Sequence, residues 1–271
     1  MLTFGTGAHV RSIHFHGHND KNRYSTVTVP GKGILKPIIE RDMDAVRALG
    51  FHVPAGRLPQ IFLQPGEIRA AEERILNMGL KSPMLMLGLG ASRATKRWPI
   101  ERFAALALEW VQGKSGSVIG IAGNDEALVS REFMLAVDDV MTATVPEASA
   151  RAAIRAQITC ETGVPLRQLA ALLSKASLIA GNDSGPRHLA VAVNTPSVTL
   201  FGPEDPFEWH PYPNEQHPFL YIEGLKCRTS GQRGLKPWCG IETCIDEQMK
   251  CMRMLGLQTV FEQCEKVSRN S

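Results

Sequence analysis

The segment 178–212, LIAGNDSGPRHLAVAVNTPSVTLFGPEDPFEWHPY, carries the polar residues best suited to binding an anion. A short apolar run leads into Asn182, Asp183, Ser184 and Gly185, and a helical pattern containing His188 follows. In a parallel α/β sheet such strand-to-helix turns face a crevice, and helix N-termini there offer N–H groups to phosphate. The segment therefore predicts a site for a ligand that carries phosphate.

Two residues of this turn are also typical of simpler roles. Asp183 could be the N-cap of the following helix, a common function of an acid at that position. His188 lies one turn into that helix, where a single histidine is more often packed than catalytic. From the residues alone, both interpretations stay open.

A second candidate is the segment 88–99, GLGASRATKRWP, which follows another apolar run. Ser92, Arg93 and Lys96 precede a predicted helix, and such hydroxyls and cations bind a diphosphate well. A solvated basic loop is the alternative. Neither a GxGxxG nor a Walker sequence follows the run, so we expect no dinucleotide cofactor.

A third candidate is the acidic pair Asp125 and Glu126, which follows the apolar run 117–123. In α/β folds an acid at the end of a strand often accepts hydrogen bonds from ribose hydroxyls. An acid in the first turn of a helix is equally favourable electrostatically. The spacing does not decide between these two roles.

Metal binding is the less favoured interpretation of the histidines and cysteines. His14, His16 and His18 would share one face of a strand, but a partly exposed polar strand is more typical. The six cysteines contain no C-x2-C pair, so reduced cysteines packed as small apolar groups are expected. No motif of a serine hydrolase or zinc hydrolase is present.

These candidate residues require a repeated strand-helix unit to position them. Apolar runs predict strands at 84–90, 117–123, 157–160, 177–180 and 196–201. Helical spacing predicts helices from 99 to 113, from 124 to about 136, at 165–176 and at 186–193, and a terminal helix within 245–267. The segment 143–155 is interpreted as a variable connection. The sum is a Rossmann-like parallel sheet with right-handed crossovers.

The first 80 residues follow a different pattern. Residues 38–49 and 70–78 are predicted to be helical, and the segment 57–67, with two prolines, is predicted to be a linker. Such a piece is smaller than a usual complete β-α domain. We therefore expect that an upstream part of this domain is missing from the chain.

Composition excludes several classes of protein. A net charge of +3 and 6% aromatic residues are too weak a signal for a nucleic-acid-binding protein, whereas 44% apolar residues suffice for a sizeable core. No apolar run is long enough to cross a membrane, and the N-terminus lacks the layout of a signal peptide. A cytoplasmic location is predicted.

The sequence resembles glycosyltransferase family 9, the ADP-heptose:lipopolysaccharide heptosyltransferases. The resemblance covers residues 83–212 and is carried by the sequences GASRATKRWPIERFAAL, IGIAGNDE and GNDSGPRHLA with the following TPSVTLFGPEDP. The late cysteines are also similar to the family's C-terminal pattern, except that Lys236 stands where one of its cysteines would be.

The resemblance implies a GT-B glycosyltransferase fold. Residues 81–271 would form its C-terminal, nucleotide-sugar-binding half, and residues 1–80 a remnant of its N-terminal half with a linker. The implied reaction is an inverting transfer of heptose from ADP-heptose to the inner core of lipopolysaccharide, with neither a metal nor a cofactor. The acceptor would lie at the surface of the inner membrane.

The resemblance also assigns roles to residues. Lys96 and Asp183 are the implied catalytic residues, and both also bind the donor. The further residues implied to bind the donor are Ser92, Arg93, Glu126, Ser184, Gly185 and His188. Glu126 is preferred to Asp125 as the acid that binds ribose.

One departure from the family concerns the general base. The family's glycine-rich loop with its aspartate base has no counterpart in this sequence. Two hypotheses follow: a transferase that is shortened or works with a separate N-terminal half, and a non-catalytic nucleotide-sugar binding protein. Self-association through an exposed remnant is a further hypothesis.

Overall fold

The fold is built on a six-stranded parallel sheet with the strand order β3-β2-β1-β4-β5-β6. The computed structural model describes residues 5–12, 25–27, 29, 36–229, 239, 243–244 and 248–269. The strands are β1 (Met84–Gly88), β2 (Ser117–Ala122), β3 (Ile158–Thr162), β4 (Leu178–Asn182), β5 (Ser197–Leu200) and β6 (Phe219–Leu220).

Helices connect these strands. They are α1 (Ile38–Arg47), α2 (Pro65–Asn77), α3 (Ile100–Lys114), α4 (Ala127–Thr144), α5 (Ala148–Arg155), α6 (Leu166–Leu173), α7 (Gly185–Ala192), α8 (Pro206–Trp209), α9 (Lys226–Thr229), α10 (Lys250–Arg253) and α11 (Leu257–Arg269), with a 3₁₀ turn at Ala94–Lys96. Among the described residues, no helix is long and apolar enough to cross a membrane.

Both faces of the sheet are covered by helices, which explains the continuous apolar sequence of its strands. Along β1, Leu85 and Leu87 pack into the core formed with α3, α4 and α11. Met84 and Met86 point the other way and pack into the core formed with α2, α6 and α7. The predicted α/β fold with a parallel sheet is confirmed.

Several elements differ from the sequence-based predictions. Helix α4 continues to Thr144, past its predicted end near residue 136, and the short helices α8 and α9 were not predicted. The segment 143–155 contains helix α5, because its alanines favour a helix and Ile154 packs against the core. Helix α2 begins at Pro65, inside the predicted linker, since Gln64 and Glu67 form a capping box around its N-terminus. The two-residue strand β6 was not predicted.

The described residues fall into two compact units. The first comprises residues up to Leu58 together with Asp205–Pro211, and the second comprises Pro59–Glu204 with the chain from Tyr212 onward. In the first unit, Arg41 of α1 forms an ion pair with Glu208 of α8 at 2.9 Å. The sheet and all candidate site residues belong to the second unit.

The backbones of β1 and β4 pass unusually close to each other. These two strands are neighbours at the point where the strand order reverses, because β2 and β3 lie on one side of β1 and β4 to β6 lie on the other. Gly88 and Gly181 are paired across the two strands. A Cβ atom on Gly181 would lie 2.7 Å from the Cα atom of Gly88, closer than real Cβ atoms come to backbone. Glycine at position 181 is therefore required for the central pairing of the sheet.

We predict that Gly181→Ala lowers the free energy of unfolding by about 2 kcal/mol or more, because the two strands must move apart. Chemical denaturation measures this loss. The control is Gly113→Ala in α3, where the added Cβ would meet only an ordinary contact at 3.7 Å. The control should be neutral or stabilising by up to about 1 kcal/mol. Equal effects of the two substitutions would contradict the close approach.

Candidate functional site

A cavity of about 1000 Å³ opens at the carboxyl ends of β1, β2, β3 and β4. This is where ligands bind in open parallel sheets, beside the point at which the strand order reverses. The polar side chains that line the cavity are those of Ser92, Arg97, Asn124, Asp125, Glu126 and Ser184. Its apolar lining comes mainly from Ile121, Val164, Pro165, Leu166 and Leu169.

The carboxylate of Glu126 is fixed by three donors at one end of this cavity. Its Oε1 atom accepts from the N–H of Ala91 at 3.1 Å and from Arg97 at 2.9 Å, and its Oε2 atom accepts from the N–H of Gly123 at 2.8 Å. A carboxylate offers about four lone-pair positions, so about one remains on Oε2. Glu126 can therefore accept one further hydrogen bond from a ligand hydroxyl without moving.

A glycine makes room for this carboxylate. A Cβ atom on Gly90 would lie 1.9 Å from Oε2 of Glu126. Glycine at position 90 is thus required by the acid from the next strand-helix turn, and a ligand phosphate is not needed to explain it. Asp125, the alternative acid, is exposed at the cavity lining.

The side chain of Asn182 joins the loops that follow β1 and β4. Its Oδ1 atom accepts from the N–H of Trp98 at 2.9 Å, and its Nδ2 atom donates to the carbonyl of Leu89 at 2.8 Å. Asn182 is only 1% exposed, so these bonds are made in a dry environment. They hold the basic loop 89–99 against the turn that begins α7.

The buried carboxylate of Asp183 lies between two cations. Lys96 Nζ is 2.5 Å from Oδ2, while Nε and Nη2 of Arg187 are 3.0 and 2.5 Å from Oδ1. Burial raises the pKa of Asp183, but the charges of Arg187 and Lys96 and their hydrogen bonds outweigh burial and hold this pKa below its ordinary value. Asp183 is therefore ionised at neutral pH, and it is not the N-cap of α7.

The N-terminus of α7 faces the cavity through Ser184, Gly185 and Pro186. Ser184 occupies the N-cap position, yet its side chain makes no capping hydrogen bond to the helix and instead donates to the carbonyl of Asn182 at 3.3 Å. A Cβ atom on Gly185 would meet nothing within 4 Å. The first turn of α7 is thus open to an anion in the cavity.

Two predicted residues make contacts beside the cavity. Arg93 forms an ion pair with Glu204, and Nδ1 of His188 is hydrogen-bonded to the hydroxyl of Tyr212. The rings of His188 and Tyr212 meet edge to face, with centroids 5.7 Å apart. Burial raises the pKa of the Tyr212 phenol, so this hydroxyl stays protonated at neutral pH.

The structure brings the predicted residues to one end of the sheet, with different exposure to the cavity. Ser92, Glu126, Ser184 and Gly185 line it directly. Lys96 and Asp183 are paired with each other behind this surface. Their predicted roles in binding and catalysis stay predictions.

Sequence reasoning missed three residues of the site. Asn182 was named only as part of the polar turn, Arg187 was not singled out, and Arg97 received no role in the basic segment 88–99. The four-residue spacing of Asp183 and Arg187 was readable as a helical ion pair. No sequence signal connected Asn182 with the loop 89–99.

The histidines and cysteines that were considered as metal ligands lie partly outside the described residues. His14, His16 and His18 lie outside the described residues, so the predicted polar strand stays a prediction. No disulfide links any of the six cysteines, all of which are described. Within the described part of the chain, no group of three or more His, Cys, Asp or Glu side chains could hold a metal ion.

A family model and curated relatives identify the family of this chain. The sequence model of glycosyltransferase family 9 (heptosyltransferase) matches residues 11–237. The chain is similar to lipooligosaccharide heptosyltransferase 2 of Campylobacter jejuni, with 25% identity over 208 residues, which are 76% of this chain and 57% of that protein. The chain thus spans little more than half the length of this relative.

Two solved structures share the fold. One is a family 9 glycosyl transferase from Veillonella parvula, with a TM-score of 0.63, 21% identity, and coverage of 90% of this chain and 63% of that chain. The other is the Escherichia coli ADP-heptose heptosyltransferase II, with a TM-score of 0.65, 20% identity, and coverage of 91% and 66%. These likenesses confirm the predicted GT-B type of fold.

We predict that Asn182→Ala lowers the free energy of unfolding by about 2 kcal/mol or more, because the Trp98 N–H and the Leu89 carbonyl lose a buried partner. Thermal or urea denaturation measures the loss. Asn77→Ala, at the exposed end of α2, is the matched control and should change stability by less than about 0.5 kcal/mol. A similarly small effect at position 182 would show that the amide does not hold the two loops together.

Proposed function

The chain belongs to glycosyltransferase family 9, and we propose that it binds ADP-heptose in the cavity and transfers the heptose to a hydroxyl of the lipopolysaccharide inner core. The proposed transfer inverts the sugar configuration and uses no metal. One observation carries the proposal: a fixed carboxylate and an uncapped helix N-terminus line one cavity at the reversal point of the sheet, and a lysine-aspartate pair lies next to that helix N-terminus. Those groups match the ribose, diphosphate and sugar of such a donor.

The nucleoside would occupy the side of the cavity next to β2 and β3. Val164, Pro165 and Leu169 form an apolar wall there, and Leu166 is 70% exposed despite its size, as expected of a residue that covers a ligand base. The remaining lone pair on Oε2 of Glu126 would accept a hydrogen bond from a ribose hydroxyl. The carboxylate is already oriented by Ala91, Gly123 and Arg97, so binding would cost little reordering.

The diphosphate would lie at the N-terminus of α7. Ser92 and Gly185, the first residue of this helix, line the cavity, and Lys96 forms an ion pair with Asp183, two residues before Gly185. A lysine ammonium acts as a point charge for phosphate, whereas the helix supplies fixed dipoles. This combination would hold the charge of the diphosphate.

The same groups would promote departure of the nucleoside diphosphate. When the bond between the sugar carbon and the diphosphate oxygen breaks, negative charge grows on that oxygen, and a nearby cation stabilises it. Lys96 is the proposed source of this stabilisation. Asp183 would bind the heptose hydroxyls and help to hold the sugar in place.

The acceptor is proposed from the family alone. Inner-core lipopolysaccharide would approach the sugar from the side opposite the diphosphate, as an inverting displacement requires. A residue outside those assigned above would take the proton of its hydroxyl.

Removing the Lys96 ammonium should weaken ADP binding about 10- to 100-fold, the usual worth of a charge-assisted hydrogen bond. Isothermal titration calorimetry of Lys96→Ala with ADP measures the change. Asp183 keeps Arg187 as a partner in this variant, so we expect the fold to survive. Lys175→Ala, which removes a surface pair with Glu72, is the matched control and should bind ADP like the unmodified chain. Unchanged affinity in Lys96→Ala would refute the placement of the diphosphate.

Transfer itself is tested by turnover. We expect the chain to release ADP from ADP-heptose only when a heptose-deficient lipopolysaccharide acceptor is present, and Lys96→Ala to slow this release at saturating donor. A coupled assay for ADP, with mass spectrometry of the acceptor, measures both effects. Donor binding without any acceptor-dependent release would instead support the non-catalytic nucleotide-sugar binding protein.

A further inference from the structure

The carboxylate of Asp183 divides its two oxygens between two cations. Oδ2 contacts only Lys96 among the ion pairs of the described residues, at 2.5 Å, while Oδ1 receives both bonds from Arg187, at 3.0 and 2.5 Å. Each cation can therefore leave without disturbing the other's contact.

The two cations are held very differently. Arg187 lies in α7, one helical turn after Asp183, is 4% exposed, and has its guanidinium 5.3 Å from the ring centroid of Phe201. Lys96 is the last residue of a single 3₁₀ turn, and its side chain is 11% exposed. Arg187 is thus fixed by helix and core, whereas Lys96 is the partner that can move.

We propose that Arg187 is a positioning residue that keeps Asp183 paired and ionised while Lys96 turns from Asp183 to the diphosphate of the donor. The inference rests on the proposed function, because it assumes that Lys96 binds the diphosphate. Arg187 itself touches neither the donor nor the reacting atoms. Its role is to lower the free-energy cost of separating Lys96 from Asp183.

The reason is the cost of an unpaired buried charge. A carboxylate as buried as Asp183 is stable as an anion only when it is paired and hydrogen-bonded, and otherwise it takes up a proton. With Arg187 present, Asp183 keeps two charge-assisted bonds after Lys96 has left. Without Arg187, movement of Lys96 to the diphosphate would force Asp183 to become neutral.

The other titratable groups near Asp183 do not account for a change in the number of protons bound. Tyr212 is close enough for its pKa to respond to both Arg187 and Asp183, but burial raises that pKa and the phenol stays protonated in the range tested. His188 contacts Tyr212 and is present in every variant below. A difference between variants at position 183 or 187 therefore reports Asp183.

The experiment measures protons taken up when ADP binds to the full chain. Calorimetric titrations at pH 6 in buffers of different ionisation enthalpy give the proton count for the unmodified chain, Arg187→Met, Arg187→Lys and the double variant Arg187→Met with Asp183→Asn. The ionisation of ADP itself cancels in the differences. Melting curves confirm that each variant is folded.

We expect Arg187→Met to take up about one proton more than the unmodified chain when ADP binds. In this variant Asp183 is paired with Lys96 before ADP binds, and it becomes protonated only when Lys96 has moved to the diphosphate. The affinity of this variant for ADP should then fall by up to about tenfold per pH unit as pH rises from 5 toward the raised pKa of the bound state. Arg187→Lys keeps a cation and should show no extra proton. The double variant has no carboxylate and should also show none.

Several results would overturn the inference. An equal proton count in Arg187→Met and the unmodified chain shows that Asp183 does not need Arg187 when ADP binds. If Arg187→Met does not fold, the unmodified chain is compared with Asp183→Asn. Uptake of about one extra proton by the unmodified chain would show that Asp183 becomes neutral although Arg187 is present, which would overturn the proposal. Failure of the unmodified chain to bind ADP overturns the proposed function as well, so the two failures are distinguishable.

Discussion

One buried side-chain amide, that of Asn182, ties together the two loops on which the whole site is built. Gly181 lets β4 approach Gly88 of β1 closely, which brings the ends of the two strands within reach of each other. The basic loop after β1 and the turn before α7 therefore form one rigid edge. Lys96 meets Asp183, and Glu126 meets Ala91, because this edge is fixed.

The charges of the site are compensated within the chain itself. Glu126 pairs with Arg97, Asp183 pairs with Lys96 and Arg187, and Arg93 pairs with Glu204. Under the proposed function, binding of an anionic ligand is an exchange of partners, since Lys96 would give up Oδ2 of Asp183 to reach a phosphate. In the proposed exchange Arg187 stays on Asp183, so this carboxylate keeps a partner throughout.

Much of the fold could be predicted from local sequence, whereas the connections within the site could not. Uninterrupted apolar runs such as 84–88 have no stable place except a buried parallel strand, so the sheet was predictable. Helix α5 was missed because it has only eight residues and a single large apolar side chain, that of Ile154. The residues near the cavity were recognised by type, but the roles of Asn182 and Arg97 depend on partners that only the folded sheet brings close.

The most direct test of this account is a crystal structure of the chain with ADP-heptose bound. We predict that the diphosphate lies within hydrogen-bond distance of Lys96 Nζ and of the first N–H groups of α7, with a ribose hydroxyl on Glu126. Lys96 and Asp183 should then be separated, while Arg187 remains on Asp183. A donor bound outside this cavity, or a diphosphate that leaves the Lys96–Asp183 pair intact, would contradict the account.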